Sequence, residues 1–260
     1  MSEKLGVPIN VVNKPGAGGA VAALELARAK PDGYTMLFQA NSIVNVIPFL
    51  VARAKFAPDS FEYAGFITAY QVGLVAKKDA PFDDLPGFVA WAKENPGATY
   101  GSLSPASRMI IGEIAKKEGL DVNVVPMQGG GEIINAILGD QVALAFSGGI
   151  HYRYPDQIKT ITALTTFRHP SAPDAKTIDE EGYQLGLDSR AGLFFPKGTD
   201  QAILDQVSSA LSAAAKDDAF KKITGQANVP IMFMDAAEAK AEIAETYERH
   251  GNIFRSAGVE

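Results

Sequence analysis

The sequence predicts an α/β fold with mostly parallel strands. Short apolar runs rich in β-branched residues alternate along the whole chain with segments whose apolar residues recur every three to four positions. Several of the runs end in Ser- or Gly-rich loops that feed the next periodic segment. Size and composition agree: 260 residues, 47% apolar and 21% charged, suit a globular protein with one large domain or two lobes.

Taken in order, Gly6 reads as a helix C-cap and residues 9–12, INVV, as a short strand. The turn NKPGAGGA at 13–20 leads into an Ala-rich helix at 21–29. It lacks the Gly-Lys-Ser/Thr of a phosphate loop, and no dinucleotide fingerprint fits. Pro31-Asp32-Gly33-Tyr34 is a turn. TMLFQ at 35–39 is a strand apolar enough to be buried on both faces. Asn41 and Ser42 follow its end, where α/β sheets gather ligands; the alternative role for them is to cap the apolar segment at 43–50.

One or two strands lie within 66–77, a helix at 87–94 carries the only tryptophan, Trp91, and Asn95-Pro96-Gly97 stops it. Strands follow at 99–101, 142–146, 160–165, 192–195 and 229–234, with a short helix at 177–181. Asp200 and Asp235 stand as N-caps of later helices, the last running through Ile243 and Tyr247.

The stretch 100–132 is the candidate working part. Ser102, Ser104 and Ser107 crowd a loop ahead of Met109, Ile110, Ile111 and Ile114; Gln128 and Gly129-Gly130-Gly131 crowd a second ahead of Ile133, Ile134 and Ile137. Each loop feeds a helix N-terminus, whose unpaired N–H groups and partial positive charge suit a carboxylate or phosphate. Ser and Gly also serve as plain helix caps. Arg108 beside the first loop and Arg190 before a late strand are candidate carboxylate clamps.

The net charge of −6 without a Lys/Arg cluster argues against a nucleic-acid surface. The absence of Cys excludes thiolate chemistry and Cys–metal sites. His151, His169 and His250 are scattered and suggest neither a metal nor a catalytic base, and His250 is expected to face solvent. No Gly-x-Ser-x-Gly elbow surrounds the serines. No apolar run approaches a membrane span, and Met1-Ser2-Glu3-Lys4 does not open a signal peptide. No cofactor and no metal are expected.

Taken together, VVNKPGAGG at 11–19, AKPDGYT at 29–35, AKENPG at 92–97, Val125-Pro126 with Gly129, LGDQV at 138–142 and FFPKGT at 194–199 resemble the extracytoplasmic solute receptors of tripartite tricarboxylate transporters, also called Bug receptors, over nearly the whole chain and in the family's order. The resemblance implies a periplasmic, two-lobed binding protein of the Venus-flytrap kind. It closes over a small di-, tri- or aromatic carboxylate and hands it to transporter membrane subunits. The implied lobes are residues 1–75 with 195–260, and 76–194, with hinge strands near 74–77 and 192–195.

The candidate ligand contacts are Ser102, Ser104, Ser107, Arg108, Gln128, Gly129, Ser147 and Arg190, with Asn41 and Ser42 facing them from the first lobe. Met127, Ser147 and Arg190 stand where the family tends to have Tyr, Asp and Trp, so a ligand unusual for the family is expected. Compared with the family the chain starts late, so an unpaired strand edge and self-association through it are expected. The alternative to a receptor is a transferase or lyase acting on a small carboxylate, since fold does not decide function.

Overall fold

The computed structural model describes residues 1–51, 54–103 and 105–256. Its elements run α1 (Ser2–Leu5), α2 (Ala20–Leu26), β1 (Leu37–Ala40), α3 (Ser42–Asn45), α4 (Ile47–Leu50), β2 (Phe61–Ala69), β3 (Gly73–Lys77), α5 (Leu85–Glu94), β4 (Ala98–Ser102), α6 (Pro105–Glu118), β5 (Val122–Pro126), α7 (Gly130–Leu138), β6 (Leu144–Ser147), β7 (Ile158–Ala163), β8 (Arg190–Pro196), α8 (Gln201–Ala215), α9 (Asp218–Ala227), β9 (Ile231–Met234) and α10 (Ala236–Ser256). The chain forms two compact units, Met1–Ala69 with Ser189–Glu260, and Tyr70–Asp188. Strands β3 and β8, expected to cross between lobes, each belong to one unit's sheet.

The α/β class holds, but the pairing is not mostly parallel: one sheet is antiparallel throughout and the other is mixed. The first unit carries a four-stranded sheet in the order β1-β8-β2-β9, and every pair in it is antiparallel. Its two faces are covered separately. Phe61, Tyr63, Phe66 and Phe194 pack with Ala20, Ala23, Ile43, Val44 and Ile243 on one side. Ala64, Ile67, Leu193 and Phe195 pack with Leu204, Val207 and Leu211 of α8 on the other.

In β8 the faces alternate strictly, as a strand requires. In β2 the parity slips: Phe61 and Tyr63 share a face with Phe66 because the register shifts between Tyr63 and Gly65. Gly65, at φ 136°, makes this bulge possible. A side chain there would also run into the Met234 carbonyl.

Two expectations fail in this unit. Residues 9–12 form no strand, and Val11 and Val12 stand 79% and 65% exposed, because β-propensity without a partner strand gives no ladder. β1 is not buried on both faces: among the described residues it pairs only with β8, and Phe38 is exposed.

The second unit holds a five-stranded sheet in the order β5-β4-β6-β3-β7. β4 runs parallel to both β5 and β6, while β3 pairs antiparallel with β6 and β7. α7 packs Ile133, Ile134 and Ile137 against Val75, Ala145 and Ile158. α6 buries Ser107, Ile110, Ile111 and Ile114, one helical face. The short helix expected at 177–181 is a turn instead. Thr177 bridges to Ala163, and the Thr177 N–H to Glu180 and Glu180 N–H to Thr177 bonds close one turn that Gly182 ends at φ 83°.

Helix starts follow the Asp signals: Asp84, Asp200, Asp217 and Asp235 each accept a first-turn N–H. The first unit's core centres on Phe194, which meets the rings of Phe61, Tyr63 and Phe66 edge-on at 5.4–6.3 Å. Replacing Phe194 by Ala is expected to cost about 3–5 kcal/mol in urea unfolding; a loss under about 1 kcal/mol would show that this ring cluster does not organise the unit.

Candidate functional site

The second unit gathers most of the sequence candidates at one sheet edge. Because β4 is parallel to β5 and β6, all three strands end on the same side, at Ser102, Pro126 and Ser147. Ser102 pairs in register with Pro126, and the Met127 N–H donates to the Ser102 carbonyl at 2.8 Å, joining the two loops. Ser102 Oγ and Ser107 Oγ lie 2.7 Å apart, both buried, and Tyr100 OH donates to the Ser107 carbonyl at 3.1 Å. Burial raises the Tyr100 phenol far above its usual range, so it stays a donor. Ser104 lies outside the described residues.

α7 starts at Gly129, which offers no side-chain cap. The Gln128 N–H instead donates to Glu132 Oε2 at 2.6 Å, and the Gln128 side chain is exposed. Glu132 was not among the sequence candidates; a Glu in the first turn of a helix is its only signal. Arg108 is the fourth residue of α6, exposed, and in no ion pair among the described residues. A cation near a helix N-terminus faces the positive end of the macrodipole.

Ser147 anchors a buried polar chain that the sequence did not reveal. The Gly149 N–H donates to Ser147 Oγ at 3.3 Å, and Ser147 Oγ lies 2.8 Å from His151 Nδ1. His151 Nε2 lies 3.1 Å from Thr160 Oγ1, Thr160 Oγ1 donates to Tyr152 OH at 3.3 Å, and Tyr152 OH lies 2.7 Å from His169 Nδ1. Burial pushes His151 down to about 3, helped by the charge His169 would carry, and burial pushes His169 down to about 4. Both rings are therefore neutral at pH 7. Ser147 and His151 stand four positions apart, with His151 and Tyr152 side by side in the 3-10 turn Ile150–Arg153, but the links to Thr160 on β7 and on to His169 join separate elements.

In the first unit Asn41 and Arg190 sit together but inward. The Arg190 N–H donates to Asn41 Oδ1 at 3.0 Å and the Asn41 N–H to the Arg190 carbonyl at 2.7 Å. Asn41 is fully buried, so its side chain closes the strand pair rather than capping α3; its Nδ2 has no partner among the described residues. Ser42, half-buried, opens α3. Arg190 Nε donates to Glu242 Oε1 at 3.1 Å, with side-chain exposures of only 7% and 14%. The guanidinium thus already holds a carboxylate of its own chain. His250, expected at the surface, is fully buried in α10.

Two outcomes follow from this geometry. Arg190→Ala is expected to lower stability by about 3–5 kcal/mol, because Glu242 is left buried without its partner. Removing both with Arg190→Met and Glu242→Leu should restore most of it, and an unchanged midpoint for the single variant would show the pair to be idle. The two histidines keep folded values below the ordinary 6.5, so an unfolded chain takes up protons first as pH falls. Their contribution is complete above about 6.5 and shrinks below it, by roughly 2 kcal/mol per histidine between pH 7 and pH 5. Urea titrations at the two pH values check this: His151→Gln should shrink the difference, and the same difference in the variant would contradict it.

The profile of the Tripartite tricarboxylate transporter family receptor matches residues 1–259. A protein of Cupriavidus necator described as UPF0065 protein in gbd 5'region is 29% identical over 264 residues, covering 99% of this chain and 80% of that one. The fold is shared with the periplasmic binding protein BugD, at a TM-score of 0.77 and 24% identity over 100% of this chain and 90% of that chain. It is also shared with MatC of Rhodopseudomonas palustris, solved with bound malate, at a TM-score of 0.73 and 23% identity over 97% and 90%. With its two α/β units and a match along almost its whole length, the chain belongs to the receptor family of the tripartite tricarboxylate transporters.

Proposed function

We propose that the protein is a periplasmic receptor that binds a small organic carboxylate and delivers it to the membrane subunits of a tripartite tricarboxylate-type transporter. Family membership supports the receptor role, and the malate bound by MatC supports the ligand class. The observation that carries the reading is Arg108. It is an exposed cation without a partner among the described residues, close to the N-terminus of α6. It follows the strand that lies beside the one leading to the uncapped N-terminus of α7. A carboxylate at this edge offsets the Arg charge and receives N–H groups from a helix start.

The proposed contacts in the second unit are Arg108, Gln128 and the N–H groups at Gly129 and beyond, with Ser102, Ser107 and Ser147 behind them. Asn41 and Ser42 rest on the sequence alone. Arg190, occupied by Glu242, is assigned to holding the first unit together. The exposed Val11, Val12 and Phe38, with β1 standing at the end of its sheet, support a tendency to self-associate.

The enzyme alternative finds one superficial pair, Ser147 with His151. Thr160 stands where a triad has its carboxylate, and a histidine held at about 3 is a poor general base at neutral pH.

The test is a thermal-shift screen of four- to six-carbon dicarboxylates and aromatic acids followed by calorimetry. A true ligand at 100 times its dissociation constant adds ~2.7 kcal/mol. Arg108→Ala should weaken that ligand roughly tenfold or more while leaving the melting temperature of the free protein unchanged. Full affinity in the variant would remove Arg108 from the site, and turnover of any acid in the panel would overturn the receptor reading.

A further inference from the structure

The turn that follows β6 brings a second free cation to the shared strand edge. Ile150–Arg153 forms a 3-10 turn. In such a turn side chains three positions apart eclipse, about 6 Å from each other along the axis. Ile150 and Arg153 therefore share one face. The Ile150 side chain lies against Gly130, where a Cβ would come 3.1 Å from Ile150 Cγ2. The face that carries Arg153 is thus the one turned to the start of α7. Arg153 is exposed, and its side chain makes neither an ion pair nor a hydrogen bond among the described residues.

The start of α7 needs such a cation to hold an anion. Glu132 Oε2 already accepts the Gln128 N–H at 2.6 Å, and its charge offsets the positive end of the helix. A ligand carboxylate arriving at Gly129, Gly130 and Gly131 meets that negative charge as well as the N–H groups. Arg153, on the Ile150 face, counters it. There is room for the ligand, because a Cβ on Gly129 or on Gly131 would meet nothing within 4 Å.

Arg108 stands on the other side of the sheet. Gly101 of β4 faces Ile133 of α7, whereas Ser102, the next residue, faces Ser107 of α6. Successive strand residues point to opposite faces, so α6 and α7 cover opposite faces. Arg108 and Arg153 therefore flank the same strand ends from two sides.

We propose that Arg153 is a ligand contact that takes one carboxylate of the bound acid at the start of α7, while Arg108 takes the other beside α6. The site then selects acids charged at both ends over acids charged at one. The inference rests on the carboxylate-receptor reading of this edge. Each guanidinium can hold a carboxylate through two charge-assisted bonds. Arg153 carries no sequence signal, because only the contact of Ile150 with Gly130 brings its turn to α7.

A dicarboxylate and its half-amide test this, since they differ only by an amide in place of one carboxylate. The probes are succinate with succinamate, and adipate with adipamate, by calorimetry on the full chain. The dicarboxylate of at least one pair should bind roughly tenfold more tightly than its half-amide. Arg153→Gln should weaken that dicarboxylate roughly tenfold and remove most of the preference. The half-amide, seated by its one carboxylate at Arg108, should lose only one of its two orientations, about twofold. Arg153→Lys keeps the charge without the fork and should recover part of the preference. The melting temperature of the free Arg153→Gln variant should match that of the unmodified chain, because the side chain holds no other group. Unchanged dicarboxylate affinity in Arg153→Gln, an equal loss for both acids of a pair, or no preference in the unmodified chain overturns the role of Arg153 and leaves the carboxylate reading standing. An unmodified chain that binds none of the four acids overturns that reading and the inference with it.

Discussion

The register of β4 between two parallel neighbours is the constraint on which the candidate site depends. A parallel pair must end on the same side, and β4 has two such partners, so the ends at Ser102, Pro126 and Ser147 share one edge. The loops beyond them have no choice but to lie side by side, and the bond from Met127 N–H to the Ser102 carbonyl fixes how closely. α6 and α7 start from that edge because crossover helices must return over the faces of the sheet. A slip of one residue would move Ser102 to the face that Gly101 now takes and break the Ser102–Ser107 contact.

The first unit solves a different problem. Its sheet is antiparallel throughout and its inner strands β8 and β2 are buried on both faces, so its stability lies in two separate layers of aromatic and aliphatic packing. The bulge at Gly65 reconciles the layers by moving Phe66 onto the face of Phe61 and Tyr63. Close to this sheet the buried Arg190–Glu242 pair supplies connection more than net energy, since desolvation cancels much of what two buried charges gain.

What could be read from the sequence was whatever is local or periodic. The Asp caps and the apolar faces of α6 and α7 rest on spacing within about a dozen residues, and the structure has them; the Ser and Gly loops, a whole helix and strand apart in sequence, meet because β4 and β5 run parallel. Where pairing over distance decides, the sequence was silent. Residues 9–12 have the composition of a strand and no partner, and Arg190 looked like a ligand clamp because nothing marked Glu242, 52 positions away, as its mate. His151 and His169 looked scattered because their link passes through Thr160 on β7 and the hydroxyl of Tyr152, and nothing in the sequence marks these as partners. Composition marks a histidine as titratable; only the fold decides that it is buried and neutral.

The central claim is that an organic acid binds at the shared edge of β4, β5 and β6. Backbone amide chemical-shift mapping during titration with malate tests it most directly. The account predicts saturable shifts centred on Gly129, Gly130 and Gly131 and on residues from Ser107 to Met109, with the amides of α8 and α9 unmoved. Saturable shifts confined to other residues, with these loops silent, would contradict it.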